Sequence, residues 1–450
     1  MPAWAAEHPE LAALAERADR RGLPLAAVPL YCLRAAHPNP AYPRPMHWTN
    51  PPRGLTHTVM PPVRPTPCPP SRMIDILNLT YDELEAWMTD ELGEPRFRAR
   101  QVWQWLWQKN ARSFDAMTNV SKATRARLAE AARITWPEVR TVKTSSDGTV
   151  KFLLALSDGA LVETVLIPSE SREGKVRMTQ CLSCQVGCAM GCTFCSTGSM
   201  GFERNMTMAE ILGQVLVARE HLGDDRPDHP IVRNLVFMGM GEPLLNLNEV
   251  MRSLRTLNDE FGLCFSPRRI TVSTCGIEKG LRELGESGLA FLAVSLHAPN
   301  QELRARIMPR AARWTLDDLM AALESYPLKT RERITFEYLL LGGVNDSIEH
   351  ARELVRLVSR TKAKLNLIVY NPAEGLPYEA PSQARILAFE QYLWSKNVTA
   401  IIRKSKGQDI KAACGQLKAS ELADLAGLAG QEEGTDGHGG PGGPGEADET

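Results

Sequence analysis

The sequence predicts an α/β protein in which a parallel sheet wound by helices follows a small helical module. Three observations carry that prediction. From residue 177 onward apolar strand-like runs alternate with helical stretches; residues 73 to 135 repeat apolar side chains at helical spacing; and five of the ten cysteines crowd into fifteen residues, 181–195. The 450 residues suffice for two or three domains and a large core without disulfide staples. A net charge of −1 with 43% hydrophobic residues describes a soluble globular chain. No run approaches the ~20 consecutive apolar residues of a membrane helix. The first 30 residues lack a secretory core, because Glu16 and Arg17 interrupt the apolar stretch at 11–18. The expected location is therefore the cytoplasm, where ten cysteines point to metal or catalytic chemistry before disulfides.

Taken in order, residues 1–72 hold 16 of the 31 prolines and read as a proline-rich disordered extension, with room for one short helix at 10–20. Met73 opens the patterned region and is a candidate translation start. Residues 73–140 read as a helical accessory domain. Thr80 and Glu83 form a capping-box signature opening a helix at 81–89, and Val102, Trp103, Leu106 and Trp107 recur at helical spacing after Pro95. Arg96, Arg98, Arg100, Lys109, Arg112, Lys122, Arg125 and Arg127 give this module a basic face, which charge alone reads equally well as solvated surface. Residues 141–175 alternate as a small β linker, with hairpin signals at Asp147-Gly148 and Ser157-Asp158-Gly159.

Residues 176–418 carry the repeat. After a strand-like segment at 176–182, strands are expected at 232–238, 270–273, 291–296, 334–340, 365–370 and 398–402. Helices are expected at 247–257, 281–286, 316–325, 348–358 and 384–394. Such a sheet is either doubly wound or closed toward a β/α barrel, and both bind ligands at the C-terminal ends of their strands. Glu242, Ser273, Ser295, His297 and Asn371 fall at or just after such ends. Residues 419–450 form a C-terminal segment whose last 21 residues carry six acidic groups and no Lys or Arg, a solvated tail.

The cysteine cluster reads CLSCQVGCAMGCTFC, and Cys188, Cys192 and Cys195 within it have the spacing C-x3-C-x2-C. Three thiolates so spaced can hold three irons of a [4Fe-4S] cube and leave the fourth iron open for a substrate-derived ligand. The competing reading is a four-thiolate zinc site built from the pairs Cys181/Cys184 and Cys192/Cys195. Spacing alone leaves both open.

Several long motifs then resemble, in order, the radical SAM (S-adenosylmethionine) adenine methyltransferases of the RlmN/Cfr family, over nearly all of residues 73–418. They are VETVLIP at 162–168, CLSCQVGCAMGCTFCSTG at 181–198, GFERN at 201–205, VFMGMGEPLLN at 236–246, TVSTCGI at 271–277, AVSLHAPN at 293–300, NLIVYNP at 366–372 and RKSKGQDIKAACGQL at 403–417. GFERN and the full helical module favour the adenine-C2 (RlmN) branch over the C8 (Cfr) branch. The resemblance implies a radical SAM partial (β/α) barrel with a small N-terminal helical accessory domain. It implies one [4Fe-4S] cluster per chain on Cys188, Cys192 and Cys195, and SAM bound by Gly241, Glu242, Ser273, Ser295, Leu296, His297 and Asn371. Phe194 takes the place of the aromatic that accompanies the last cluster cysteine in radical SAM enzymes.

The resemblance also implies the chemistry. Adenine C2 is electron-poor and cannot attack a SAM methyl directly. Cys414 therefore takes a methyl from a first SAM by displacement, becoming S-methylcysteine. A second SAM is cleaved reductively, and the resulting radical takes hydrogen from that methyl. The methylene adds to C2 and crosslinks protein to RNA. Glu163 accepts the C2 proton, and Cys181 releases the product through a transient disulfide with Cys414. Without the resemblance Glu163 would read as a surface glutamate on a strand.

Two departures from the family pattern stand out: Cys184, where a small residue such as serine is usual, and Cys275. Cys275 and Cys264 read as small buried residues, and Cys32 and Cys68 carry no assigned role. The implied partners are 23S rRNA in its peptidyl-transferase region, tRNA at the adenosine 3′ of the anticodon, and an external flavodoxin-like one-electron donor. The enzyme is expected to work as a monomer, away from membranes. RNA would be gripped by the basic helical module with Arg268, Arg269, Arg304, Arg306, Arg310 and Arg313, the target base being flipped from its stack. Trp103, Trp105 and Trp107 are expected to be the core of that module. A zinc-stabilised RNA-binding protein without catalysis is the alternative from another class.

Overall fold

The computed structural model describes residues 73–170, 176–224 and 230–419. The readings of 1–72 and of the acidic tail lie outside the described residues.

Three helices open the described chain: α1 (Tyr81–Asp90), α2 (Arg96–Trp107) and α3 (Lys122–Ala131). The capping box closes as expected, with Glu83 Oε2 accepting the Thr80 backbone N–H at 2.8 Å. Helix α2 buries Ala99, Val102, Trp103, Leu106 and Trp107, one face at three- and four-residue spacing. Trp103 and Trp107 meet edge to face at 5.6 Å, and Trp103 Nε1 donates to Asp259 Oδ1 at 3.2 Å. Trp105 packs against the same core from its edge. It points off that face, half-buried, and carries Lys109 Nζ 4.2 Å over its ring.

The ten strands of the main sheet are β1 (Glu138–Thr144), β2 (Val150–Ala155), β3 (Leu161–Glu170), β4 (Val176–Cys181), β5 (Val232–Phe237), β6 (Ile270–Thr274), β7 (Phe291–Ser295), β8 (Ile334–Leu340), β9 (Ala363–Val369) and β10 (Ala400–Arg403). They lie side by side in sequence order. β1 to β4 pair antiparallel, as hairpin turns require; every pairing from β4 to β10 is parallel. A doubly wound sheet reverses its strand order at a switch point, and this one never does. Right-handed crossovers that always advance in one direction keep all their helices on one face, so the sheet is an open (β/α) barrel extended at one edge by the antiparallel strands.

The crossover helices are α4 (Met208–His221), α5 (Leu247–Asn258), α6 (Glu278–Ser287), α7 (Gln301–Ile307), α8 (Leu316–Glu324), α9 (Ile348–Val358) and α10 (Gln383–Ser395). Sequence patterning found five of them within a few residues and missed α4 and α7. The α4 side chains from Met208 to Arg219 are buried all but Glu210, so the helix shows no polar stripe to betray its period. α7 is two turns long. One continuous apolar core joins α1 to α3 with the sheet and its helices. A smaller cluster, including Met190, Phe194, Ile307, Leu339 and Tyr370, packs around Cys188, Cys192 and Cys195.

Candidate active site

The cysteine loop leaves β4 at Cys181 and is tied at once to the neighbouring strand end. Leu182 N–H donates to Val236 O at 2.8 Å, and Ser183 Oγ bridges Glu163 O at 2.6 Å and the Met240 amide at 2.9 Å. Residues 185–187 then pair antiparallel with 202–205, so the GFERN motif forms the second strand of a small ladder that closes the loop. Gly187 makes the closure possible: at φ +71° a Cβ there would lie 2.0 Å from Gly201 O. Gly241, at φ +106°, lies so near the same ladder that a Cβ would stand 2.6 Å from Gln185 Cβ. Both glycines mark close backbone approach.

Cys188, Cys192 and Cys195 line one cleft and are half-buried there. Burial raises the pKa of each thiol; neighbouring cluster thiols add to it for Cys188 and Cys192, and Cys414 does so for Cys195, with Cys188 pushed up to about 11. Amide groups of Met190 and Gly241 turn toward Cys188, those of Thr197 and Gly198 toward Cys195. Three crowded thiolates with amide donors behind them suit a polynuclear cation such as an iron–sulfur cube. Among the described residues no three His, Cys, Asp or Glu side chains converge as ligands of one ion.

The same cleft is lined by Gly241, Glu242, Ser273, Ser295 and His297 from successive strand ends, and by Cys414. Glu242 is 4% exposed, and burial raises its pKa; its two oxygens accept the amides of Leu244 at 3.0 Å and Cys275 at 2.9 Å. The Thr274 hydroxyl and the Cys275 thiol add side-chain hydrogen bonds to the same carboxylate. Ser273 Oγ and Ser295 Oγ stand 3.3 Å apart. His297 adopts φ +53° and accepts the Leu339 amide on Nδ1 at 3.0 Å. Burial, with Arg304 nearby, lowers its pKa to about 3, so the ring is neutral and carries its proton on Nε2. Phe194 packs edge to face on it at 5.1 Å.

Two expected SAM residues stand back from the cleft lining. Leu296 is fully buried, its N–H donating to Glu337 O and its carbonyl accepting from Arg304. Asn371 accepts from Gln408 Nε2, while its own Nδ2 finds no partner among the described residues.

The chain after β10 folds back across the mouth of the cleft to the antiparallel strands. Gly407 N–H donates to Asp147 Oδ2 at 2.9 Å, Ser145 Oγ to Asp409 Oδ1 at 2.6 Å, Ser196 N–H to Gly415 O at 2.8 Å, and Thr197 Oγ1 to Leu417 O at 2.7 Å. This strap presents Cys414, exposed, beside the cluster thiols. Cys181 is buried behind it, its pKa pushed up to about 12 by burial and by Cys414, against the pull of Arg403. All eight cysteines among the described residues are free thiols.

Glu163 corrects the surface reading given to it. It is fully buried in β3, which lies between β2 and β4 under the strap, with Lys151 Nζ 2.7 Å from Oε1 and the Lys418 amide 2.7 Å from Oε2. Arg304 is likewise no phosphate ligand: fully buried, it holds the carbonyls of Leu296 and Cys275. Cys264 is exposed on a left-handed turn, not buried, whereas Cys275 is buried and Cys184 donates weakly to Met240 O. Much of the basic helical face is internally engaged, Arg127 with Glu94, Arg112 with Glu220 and Arg100 over Phe261; Arg96 is the most open to solvent of its ion-paired arginines. Sequence reasoning passed over Glu337 and Arg403, which also line the cleft. Glu337 sits in an otherwise apolar strand, ITFEYLL, and that single charge was the signal available.

The chain matches two family models: the ribosomal RNA large subunit methyltransferase N-terminal domain over residues 74–134 and the radical SAM superfamily over residues 182–355. A dual-specificity RNA methyltransferase RlmN from Nitratidesulfovibrio vulgaris (strain DSM 19637 / Miyazaki F) is 98% identical over 352 residues, covering 78% of this chain and 96% of the relative. The RlmN of Lawsonia intracellularis is 60% identical over 351 residues, 78% of this chain and 98% of that one. Among solved structures, a radical SAM methyltransferase from Sphaerobacter thermophilus superposes with a TM-score of 0.71 at 42% identity, covering 77% of this chain and all of that one.

Proposed function

The chain belongs to the RlmN family of radical SAM RNA methyltransferases, and from that premise we propose that it methylates carbon 2 of one adenosine in the peptidyl-transferase region of 23S rRNA and of the adenosine 3′ of the anticodon in tRNAs. Cys188, Cys192 and Cys195 would hold one [4Fe-4S] cluster per chain, and two SAM molecules would be used per turnover. When bound, cluster and SAM supply an electron and a hydrogen-abstracting radical. Everything else falls to side chains. Gly241, Glu242, Ser273, Ser295, Leu296, His297 and Asn371 hold SAM at the strand ends, the neutral His297 offering Nε2–H as a donor. Cys414 takes the methyl group as a thiolate and becomes joined through it to C2 of the base. Glu163 accepts the C2 proton. Cys181 then attacks the Cys414 sulfur; the S–CH2 bond breaks with its electron pair left on carbon, which takes up a proton and becomes the methyl group, and a disulfide closes between the two cysteines.

The observation that carries this reading is the placement of Cys414 on the lining of the cleft that holds the three cluster thiols, with the buried thiol of Cys181 close enough to raise its own pKa against it. Glu163 holds the Lys151 ammonium on Oε1 and the Lys418 amide on Oε2, and a remaining lone pair would take the C2 proton. The N-terminal module (residues 73–140) assists RNA recognition, the β linker (141–175) joins it to the radical SAM core (176–418), and a flavodoxin-like protein donates electrons. The enzyme acts as a monomer in the cytoplasm, where its substrates are; no helix among the described residues is long and apolar enough to cross a membrane.

The test is C181A. Incubated anaerobically with SAM, reductant and substrate RNA, it should accumulate a covalent RNA adduct on Cys414, identified by mass spectrometry. Free product at the wild-type rate would sink the two-cysteine scheme, and 8-methyladenosine in place of 2-methyladenosine in wild-type product would move the enzyme to the C8 branch.

A further inference from the structure

Lys151 stands in β2 with its side chain 5% exposed as a residue, and its register partner in β3 is Val165. Glu163, two residues along β3, shares that face, so the two charges form a diagonal cross-strand pair. Nζ and Oε1 are 2.7 Å apart, and Glu163 is 0% exposed. An ion pair buried this completely is no help to a sheet: apolar side chains of similar volume would stabilise β2 and β3 as well or better. Its presence calls for another explanation.

A carboxylate cut off from water takes up a proton unless a charge beside it favours the ionised form. A protonated Glu163 has no site left for the C2 proton. We propose that Lys151 is the positioning residue that keeps Glu163 ionised and aimed, so that the base remains competent after the RNA has shut out water. The inference rests on the reading of Glu163 as proton acceptor. In the step concerned, the proton leaves C2 for a Glu163 oxygen, the C–H electron pair stays with the ring, and the one unpaired electron left by radical addition would pass to the one-electron acceptor that the cluster would supply. Lys151 gives up nothing; its ammonium holds Oε1 while Oε2 takes the proton.

The position of the pair makes the inference specific to one step. Lys151 does not line the cleft and meets the strap only through Glu163, whose other oxygen holds the Lys418 amide, so the proposal expects methyl transfer to Cys414 to survive its loss. The holoenzyme variants K151M, K151R and E163Q, turned over anaerobically on substrate RNA, should separate the steps, with Cys414 S-methylation and the Cys414–RNA adduct both measured by mass spectrometry. K151M should raise the steady-state adduct roughly ten-fold, at the low end of what a proton-transfer group contributes, while S-methylation stays within about two-fold of wild type. K151R, which keeps the charge, should return most of the way to wild type. K151Q replaces K151M if the latter does not fold. Parallel loss of S-methylation and product in K151M, with no adduct, would overturn the proposal as a mere effect on folding. Adduct in E163Q but wild-type turnover in K151M would overturn it while leaving Glu163 in place, and no adduct in E163Q would remove the premise itself.

Discussion

Gly187 shows how far a single absent methyl group decides the shape of the cluster loop. Its left-handed φ is costly for any other residue, and the 2.0 Å approach to Gly201 O leaves no room for one. Gly187→Ala should lower stability by about 2–3 kcal/mol, read from the denaturant midpoint, and the protein should retain less than half the iron of wild type after desalting. Full iron retention with an unmoved midpoint would show that the loop closes by other means. The same scale exposes what sequence could reach. The thiols were legible because chance does not place five cysteines in fifteen residues. Glu163 was misread because its burial comes from two neighbouring strands and a strap 255 residues away, and no local pattern records that. Arg304 looked like a surface arginine because helical register alone cannot say that its guanidinium turns inward to three carbonyls.

Among the elements, the parallel strands were placed to within about two residues because each is an apolar run bounded by turn residues. Whether they wound one way or both was not legible, since strand order depends on which face each crossover takes. The element that matters most for chemistry is the strap. Burial works to raise the pKa of Asp147, yet the donors Thr149, the Gly407 amide and Ser145 outweigh it and hold the carboxyl at about 2. A carboxyl whose pKa is lowered by folding contributes stability above its ordinary value of 3.8, and that contribution is lost as pH falls through about 2. Asp147 is exposed, so solvent screening keeps the effect small. D147A should be cut by pepsin within residues 404–418 already at pH 4, whereas the wild-type strap should become equally sensitive only as pH approaches 2. Equal cleavage of the two proteins at pH 4 would show that the Gly407 contact does not hold the strap.

At the scale of the whole molecule, the helical module and the barrel share one core. Trp103 is fully buried in it and tied to Asp259 beyond α5. Unfolding should therefore be a single transition, and Trp103→Ala should lower the stability of the entire described body by about 3–5 kcal/mol; two calorimetric transitions, with the barrel's unmoved by the substitution, would separate the module from it. The near-zero net charge concealed an RNA-modifying enzyme because the basic residues of the module are largely spoken for by Glu94, Glu220 and neighbouring rings.

The lacing of the strap has a further consequence, for the order of events in the life of the chain. Ser145 to Asp409 and Glu163 to Lys418 close loops of 264 and 255 residues, and contacts that distant in sequence form late because the loop entropy must be met first. Until they form, Cys414 is absent from the cleft and the three cluster thiols stand open to iron and sulfide. Under the proposed scheme, assembly of the metal centre can thus precede arrival of the methyl-carrying thiol, and a chain that ends after the closed cysteine loop but before residue 414 would hold the cluster without the thiol needed to methylate RNA.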